Sequence, residues 1–387
     1  MRFIDIIIGQ VLTARTRLGV DLPLTLMNSF RTSKDTMKVL QTNKKFHQED
    51  IPMEIIQHQE PKISAETGMP VSFPANPELE WCPPGHGDLF STIWESGLLD
   101  ALEAQGFKYL FISNSDNLGA RPSRTLAQHF ENTGAPFMIE VAKRTPADRK
   151  GGHIVARQGH GPSWMLREMS QVHPDDKDDA QNIDKHPYFN TNSIWVRIDA
   201  LKAKLASYDG VLPLPVIRNK KTVDPTDPTS EPVIQLETAM GAAVSLFDGA
   251  TCVCVDRMRF LPVKTTDDLF IMRSDRFHLT DQYEMEDGNY IFPDVHLDAR
   301  YYKNIHDFDV RFPYGVPSLA AAKSVDIDGD WTFGRDVMLF SDARLEDQGE
   351  PSYVPNWRIC RPAGRGTGRL GLILDGHATR KRCFFVK

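Results

Sequence analysis

The run WCPPGHGDLF, residues 81–90, sets one imidazole, His86, between Gly85 and Gly87 and behind two prolines. Glycine has no Cβ, so a flat ligand can approach the main chain there, and backbone N–H and C=O groups can read its edge. The prolines order the loop in advance and reduce the entropy lost on binding. His86 can offer a neutral donor or acceptor to a sugar or phosphate oxygen. A second run, NSDNLG at 114–119, gathers polar groups at one rim. Its carboxylate, Asp116, is of the kind that holds Mg2+ while phosphate oxygens complete the shell. A third, RFLPVKTTDDL at 259–269, projects Lys264 from a short apolar segment stiffened by Pro262, as a point-charge clamp for phosphate. Taken singly, each run is more simply read as a turn, an Asx-rich loop or a surface lysine. The chain has no G-x-x-x-x-G-K-[ST], H-E-x-x-H or G-x-S-x-G string. Cys252 and Cys254 point the same way from one strand and read as small buried hydrophobes rather than a metal pair.

Rigid elements must stand behind these runs. Phe3, Ile6, Ile7, Gln10 and Val11 recur at helical spacing. LPLTLMNS (22–29), MEIIQHQ (53–59), KYLFIS (108–113) and FMIEVA (137–142) read as strands. Asp88 reads as the N-cap of one helix that runs to a stop at Gly106. This rhythm predicts an α/β domain of Rossmann-like type, with a mixed but mostly parallel sheet. Ligands then bind beyond the carboxyl ends of strands, where both the glycine turn and NSDN fall. HPDDKDDAQNIDK (173–185) reads as a solvated acidic segment, and RNKKTVDPTDPTSEP (218–232) as a surface excursion.

After about residue 315 the period changes. Val325/Ile327, Trp331/Phe333, Val337/Leu339 and Ala343/Leu345 are apolar pairs two apart, recurring every six residues. Spacing of two puts both side chains on one face of a strand, and a repeat of six turns a corner and stacks the next rung, as in a hexapeptide β-helix. The expected organisation is an α/β domain over 1–290, a β-helix over 291–350 and an atypical basic tail over 351–387.

Of 387 residues, 41% are hydrophobic and 25% charged, which suits a soluble fold with a sizeable core. No apolar run approaches the roughly 18 residues of a membrane helix, and no cleavage site follows the apolar start, so neither a membrane partner nor a signal peptide is expected. Five scattered cysteines without C-x-x-C fit a reduced, cytoplasmic protein. A net charge of −7 argues against general nucleic-acid binding. The charge is uneven: residues 357–387 hold eight Lys/Arg against one acid, Asp375.

The three chemical runs occur together and in order, and with LMNSFRTSKDT, FNTNSIWV, QLETAMGAA and RFPYGVPSL they closely resemble the UTP–glucose-1-phosphate uridylyltransferase family over about residues 3–345. The resemblance implies a nucleotidyltransferase α/β domain followed by a left-handed β-helix. It implies that Gly85 approaches the uracil through its backbone, that Gln59 helps to read the base, and that His86 contacts glucose 1-phosphate. Asn114, Ser115 and Asp116 match the sugar and nucleotide rim, with Asp116 beside Mg2+. Asn190 and Asn192 match sugar-hydroxyl ligands, Glu237 is a further candidate, and Lys264 matches the phosphate-binding lysine. Where the family usually has lysine this chain has Arg144, onto which no role is carried. The implied reaction joins UTP and glucose 1-phosphate into UDP-glucose and pyrophosphate.

The family's glycine-rich loop, resembling L-N-G-G-L-G-T, precedes its first matching helix and has no counterpart in this sequence. The expectation is therefore that the chain as written is poorly active or inactive and folds poorly, and that an upstream-extended version is active. Two alternatives stay open: transfer to a different sugar 1-phosphate, and a fragment that binds sugar nucleotides without turnover. Assembly of copies through the β-helix is also open.

Overall fold

The computed structural model describes residues 1–360 other than 44, 146–147, 149–150, 158–162 and 288–291. The expected boundary at residue 290 and the Gly/Arg-rich run 361–387 lie outside the described residues. The chain divides into two compact units, Met1–Pro262 with Leu279–Glu286, and Val263–His278 with the chain from Asp287 onward.

The first unit opens with helix α1 (Phe3–Leu18), whose Ile6, Ile8, Val11 and Ala14 are buried at helical spacing. Strand β1 (Leu26–Asn28), helix α2 (Ser33–Thr42) and strand β2 (Glu54–Ile56) follow, and β1 and β2 pair in parallel. Short strands β3 (Glu60–Pro61), β4 (Ile63–Ser64) and β5 (Trp81–Cys82) lead to the glycine turn, with β3 antiparallel to β5. The single helix expected next is two, α3 (Leu89–Glu95) and α4 (Leu98–Ala104), because Gly97 between them takes a left-handed φ of 71°. Asp88 makes no capping bond; its carboxylate turns instead to Thr92 and His58.

Then come β6 (Tyr109–Ile112), α5 (Arg124–Thr133), β7 (Phe137–Lys143), β8 (His153–Arg157), β9 (Ser163–Arg167), α6 (Lys177–Gln181), β10 (Tyr188–Arg197), α7 (Ile198–Ala206), β11 (Val216–Thr222), β12 (Pro232–Thr238) and β13 (Thr251–Cys254). The main sheet runs β13-β7-β10-β8-β9, with β6 also on β10. Strand β10 is antiparallel to β6, β7 and β8, and only β13 joins β7 in parallel. The mostly parallel sheet is thus corrected to a mixed one. Strand β10 is preceded by the five-residue α6 rather than a full crossover helix, and it enters between β6 and β7 from the opposite direction. The expected excursion at 218–232 is largely the β11–β12 hairpin. Cys252 is half-buried and packs against the core as expected, whereas Cys254 is exposed, which corrects the expectation for that residue; burial pushes the Cys252 thiol up to about 12. The core gathers Phe137, Ile139 and Val141 of β7, Ile194 and Val196 of β10, and the inner faces of α3, α4 and α7.

In the second unit, Thr265 and Asp268 form a capping box for α8 (Thr266–Arg273). Strands β14 (Phe277–Leu279) and β15 (Met285–Asp287) follow. Residues 279–286 return to the first unit, where the Gln10 amide donates to Tyr283 O at 3.1 Å and Arg17 meets Glu284 at 3.2 Å. The chain continues as β16 (Asp294–Leu297), α9 (Ala299–Tyr302), α10 (Ile305–Arg311), β17 (Ser318–Ile327), β18 (Trp331–Phe333), β19 (Met338–Leu345), β20 (Ser352–Val354) and β21 (Ile359–Cys360). Parallel strands stack in the orders β16-β17-β19-β21 and β18-β20. Ser324 lies opposite Asp342 and Ile327 opposite Leu345, an offset of 18 residues or three six-residue faces. All eight residues of the four apolar pairs are buried. Strands β20 and β21 carry the stack past residue 350, where it was expected to stop. Trp331 pairs with Ser352 and Met338 with Ile359, an offset of 21 that hides these rungs from a six-residue search.

Candidate active site

The glycine turn is set by what packs against it. Gly85 has φ 84°, and Thr238 N–H donates to Pro84 O at 2.9 Å. A Cβ on Gly85 would fall 2.8 Å from Thr238 O and 2.9 Å from Glu237 Cβ, and one on Gly87 would fall 2.4 Å from Thr238 Oγ1. Both positions are closed to any side chain by the end of β12. Met240 N–H donates to His86 Nδ1 at 3.1 Å. An Nδ1 that accepts leaves the ring proton on Nε2, so half-buried His86 is fixed as a neutral Nε2–H donor.

The FNTN run is a bulge in β10. Its register against β7 slips between Asn190 and Ser193, and Asn192 takes φ 57°. Asn190 is buried, donates from Nδ2 to Asn192 Oδ1 at 2.8 Å, and accepts from Asn192 N–H at 3.0 Å. A Cβ on Gly241 would lie 2.6 Å from Asn190 Nδ2 and 3.3 Å from Asn192 Oδ1. Three runs far apart in sequence therefore converge: the glycine turn, Glu237–Gly241 and Asn190–Asn192.

Ile112 of β6 faces Ile194 of antiparallel β10, so the carboxyl end of β6, where NSDN begins, lies at the same end of the sheet as the asparagine bulge. Asn117 locks this loop. It accepts from Leu261 N–H at 2.8 Å and Gly119 N–H at 3.1 Å, and donates to Arg259 O at 3.1 Å. Asn114 and Asp116 are half-buried and Ser115 is exposed. Behind Asn117, the Arg259 guanidinium grips both oxygens of Glu140 at 2.7 and 2.8 Å, and Trp195 Nε1 donates to the same carboxylate at 2.9 Å. Glu140 is fully buried. Removing one member of such a pair strands a buried charge. Arg259→Met should therefore lower unfolding free energy by about 3–5 kcal/mol in urea titrations; an unchanged midpoint would deny the brace its structural role.

Gln59 is exposed, whereas Gln57, which the sequence reading passed over, is half-buried directly after β2. Lys264 is exposed and belongs to the second unit, two residues beyond Pro262, and its N–H donates to Asp268 at 2.9 Å. Glu60, beside the turn on β3, has its carboxyl pushed up by burial and by nearby Glu237. Arg144 is a structural piece: its guanidinium donates to the carbonyls of Ala180, His186 and Asp148. Among the described residues, one trio in the second unit, His296, Asp326 and Asp328, has ligand atoms close enough together to hold a metal. The Arg344 guanidinium lies 3.7 Å from Asp326 and 3.8 Å from Asp328 and already answers their charge. Two shallow surface depressions, one on α7 and one on α5, contain none of the residues named for chemistry.

Residues 1–340 match the model of the family described as UTP–glucose-1-phosphate uridylyltransferase. The chain belongs to that family. A probable UTP–glucose-1-phosphate uridylyltransferase of Schizosaccharomyces pombe is 37% identical over 384 residues, covering 96% of this chain and 72% of that protein. The Saccharomyces cerevisiae enzyme is 37% identical over 340 residues, covering 87% and 66%. A crystal structure of the UDP-glucose phosphorylase of Trypanosoma brucei aligns with TM-score 0.87 at 39% identity, covering 93% of this chain and 78% of that one. A Leishmania major UDP-glucose pyrophosphorylase variant, solved with UDP-glucose, aligns with TM-score 0.82 at 37% identity over 92% of this chain and 78% of that one. The uridylyltransferase resemblance read from the seven runs is borne out. So is the alternation of helices and strands, as a mixed α/β fold like that of the UDP-glucose pyrophosphorylases.

Proposed function

We propose that this chain is a uridylyltransferase that makes UDP-glucose and pyrophosphate from UTP and glucose 1-phosphate. The observation that carries the reading is the convergence of Gly85 and His86 with Glu237–Gly241 and Asn190–Asn192 at one end of the sheet. A phosphate oxygen of glucose 1-phosphate bonds to the α-phosphorus of UTP, the bond from that phosphorus to the bridging oxygen breaks, and pyrophosphate leaves with the electron pair. The nucleophile is already an anion, so no general base is needed. What remains is to hold two mutually repelling anions in line.

The residues divide that work by chemistry. The bare backbone at Gly85 accepts the uracil face to edge, with Gln59 helping to read the base. His86 Nε2–H donates to the phosphoglucose. Asn190, Asn192 and Glu237 offer amide and carboxylate partners to sugar hydroxyls, and Asn114 and Ser115 complete the rim. Lys264 contributes fixed positive charge to the phosphates. Asp116, a half-buried carboxylate at the end of β6, is a hard oxygen donor that suits Mg2+. Bound there, the ion would supply charge neutralisation to the phosphates. The second unit is read as a left-handed β-helix, on the strength of its parallel strands at an 18-residue offset. The four described cysteines are all free, which supports work in a reducing compartment such as the cytoplasm. Among the described residues, no helix is long and apolar enough to cross a membrane.

A panel of sugar 1-phosphates with UTP and Mg2+ tests the assignment. Glucose 1-phosphate should be preferred over galactose and N-acetylhexosamine 1-phosphates by roughly tenfold or more in kcat/KM. Preference for another sugar, or tight binding of UDP-glucose with no pyrophosphate released, would overturn it.

A further inference from the structure

His58 lies between Gln57 and Gln59, on the loop that joins β2 to β3. Its backbone N–H donates to Asp88 Oδ2 at 2.8 Å, its Nδ1 meets Asp88 Oδ1 at 2.8 Å, and its Nε2 meets Glu95 Oε2 at 2.9 Å. Asp88 is itself held, accepting from Thr92 Oγ1 at 3.1 Å, and it stands two residues beyond His86. Both ring nitrogens thus face carboxylates. Only the imidazolium carries a proton on each nitrogen; a neutral ring turns one lone pair toward a carboxylate. We propose that His58 is a positioning residue for the uridine-nucleotide site, clamping the loop of Gln57 and Gln59 onto α3 and the glycine turn.

The inference rests on the uridylyltransferase reading, and it adds a group that touches no substrate. The described charged groups facing His58 are Asp88 at the start of α3 and Glu95 in its last turn; Glu60, two residues on, feels Asp88 and Glu237. The hydrogen bonds to Asp88 and then Glu95 hold the ring's pKa above its ordinary 6.5. The clamp is therefore complete below 6.5 and is lost as pH rises through the raised value.

The test is calorimetry of UDP-glucose on the full chain between about pH 6 and pH 8.5, where the diphosphate diester does not titrate. The dissociation constant should rise by about fivefold or more with pH, and Glu95→Gln should move the midpoint to lower pH. His58→Gln, which keeps a donor but cannot titrate, should give a flat profile near the weak plateau. A flat wild-type profile, or an unchanged pH dependence in His58→Gln, overturns the proposal. If UDP-glucose binds at no pH, the functional reading fails, and the clamp is judged on the free chain by NMR. The His58 ring should then titrate above about 6.5 and the amides of residues 57–59 should exchange more slowly while it is charged. An ordinary titration, or exchange indifferent to it, overturns the clamp itself.

Discussion

Asp116→Asn should lower kcat by about two to three orders of magnitude while leaving the fold intact. The substitution keeps the volume and one acceptor oxygen of the side chain and removes only its charge. The site's work is electrostatic: two anionic reactants must approach, and charge must be met as it moves from the α-phosphorus to the departing pyrophosphate. A neutral amide at the carboxyl end of β6 would hold a divalent cation poorly, so the metal concentration for half-maximal rate should rise with the fall in kcat. The thermal midpoint should stay within a few degrees, because the bonds from Asn117 that lock the loop to Leu261 and Arg259 are untouched. Retention of more than about a tenth of wild-type kcat would remove Asp116 from the charge-handling role.

Gly85→Ala should weaken UDP-glucose binding by about two orders of magnitude and cost about 1–3 kcal/mol of stability. Two effects add. The residue sits at φ 84°, which an L side chain adopts only under strain, and its Cβ would strike Thr238 O at 2.8 Å. Relief requires the turn and the end of β12 to part, and His86 then loses its register with Met240 N–H. Gly97→Ala is the matched comparison. Its φ is 71°, yet nothing lies within 4 Å of the added methyl. It should cost about 1–2 kcal/mol from backbone strain alone and leave binding unchanged. Equal loss of binding in both variants would mean that the close approach at Gly85 has no bearing on the nucleotide.

The parts that were legible are those whose signal is local. The helix from Phe3 and the strands at 54–56, 109–112 and 137–143 announce themselves by spacing or by β-branched and aromatic content. The apolar pairs from Val325 to Leu345 revealed the stacked second unit because parallel strands stacked at an 18-residue offset repeat their demand for buried residues. The same pattern failed at 346–350, where three extra residues lengthen a turn without disturbing the stack. Strand direction was not legible. Whether β10 runs with or against β7 depends on where a long chain re-enters the sheet, and no local period records that. Asp88 looked like a cap because an acid before an apolar run usually is one; its real partner, His58, is 30 positions away. The brace of Glu140, Arg259 and Asn117 was invisible for the same reason, since each residue alone is an ordinary polar side chain. The glycine turn was legible because glycine flanking a lone histidine is a backbone demand, and the structure supplies its cause in Thr238.

The most direct test is a crystal structure of this chain with UDP-glucose and Mg2+. The account predicts the uracil edge against the Gly85 backbone, the hexose among Asn190, Asn192 and Glu237, and His86 Nε2 donating to the phosphoglucose, with Lys264 and Asp116 turned toward the phosphates. A nucleotide held elsewhere, or Lys264, Asp116 and His86 facing separate cavities around the bound ligand, would contradict it.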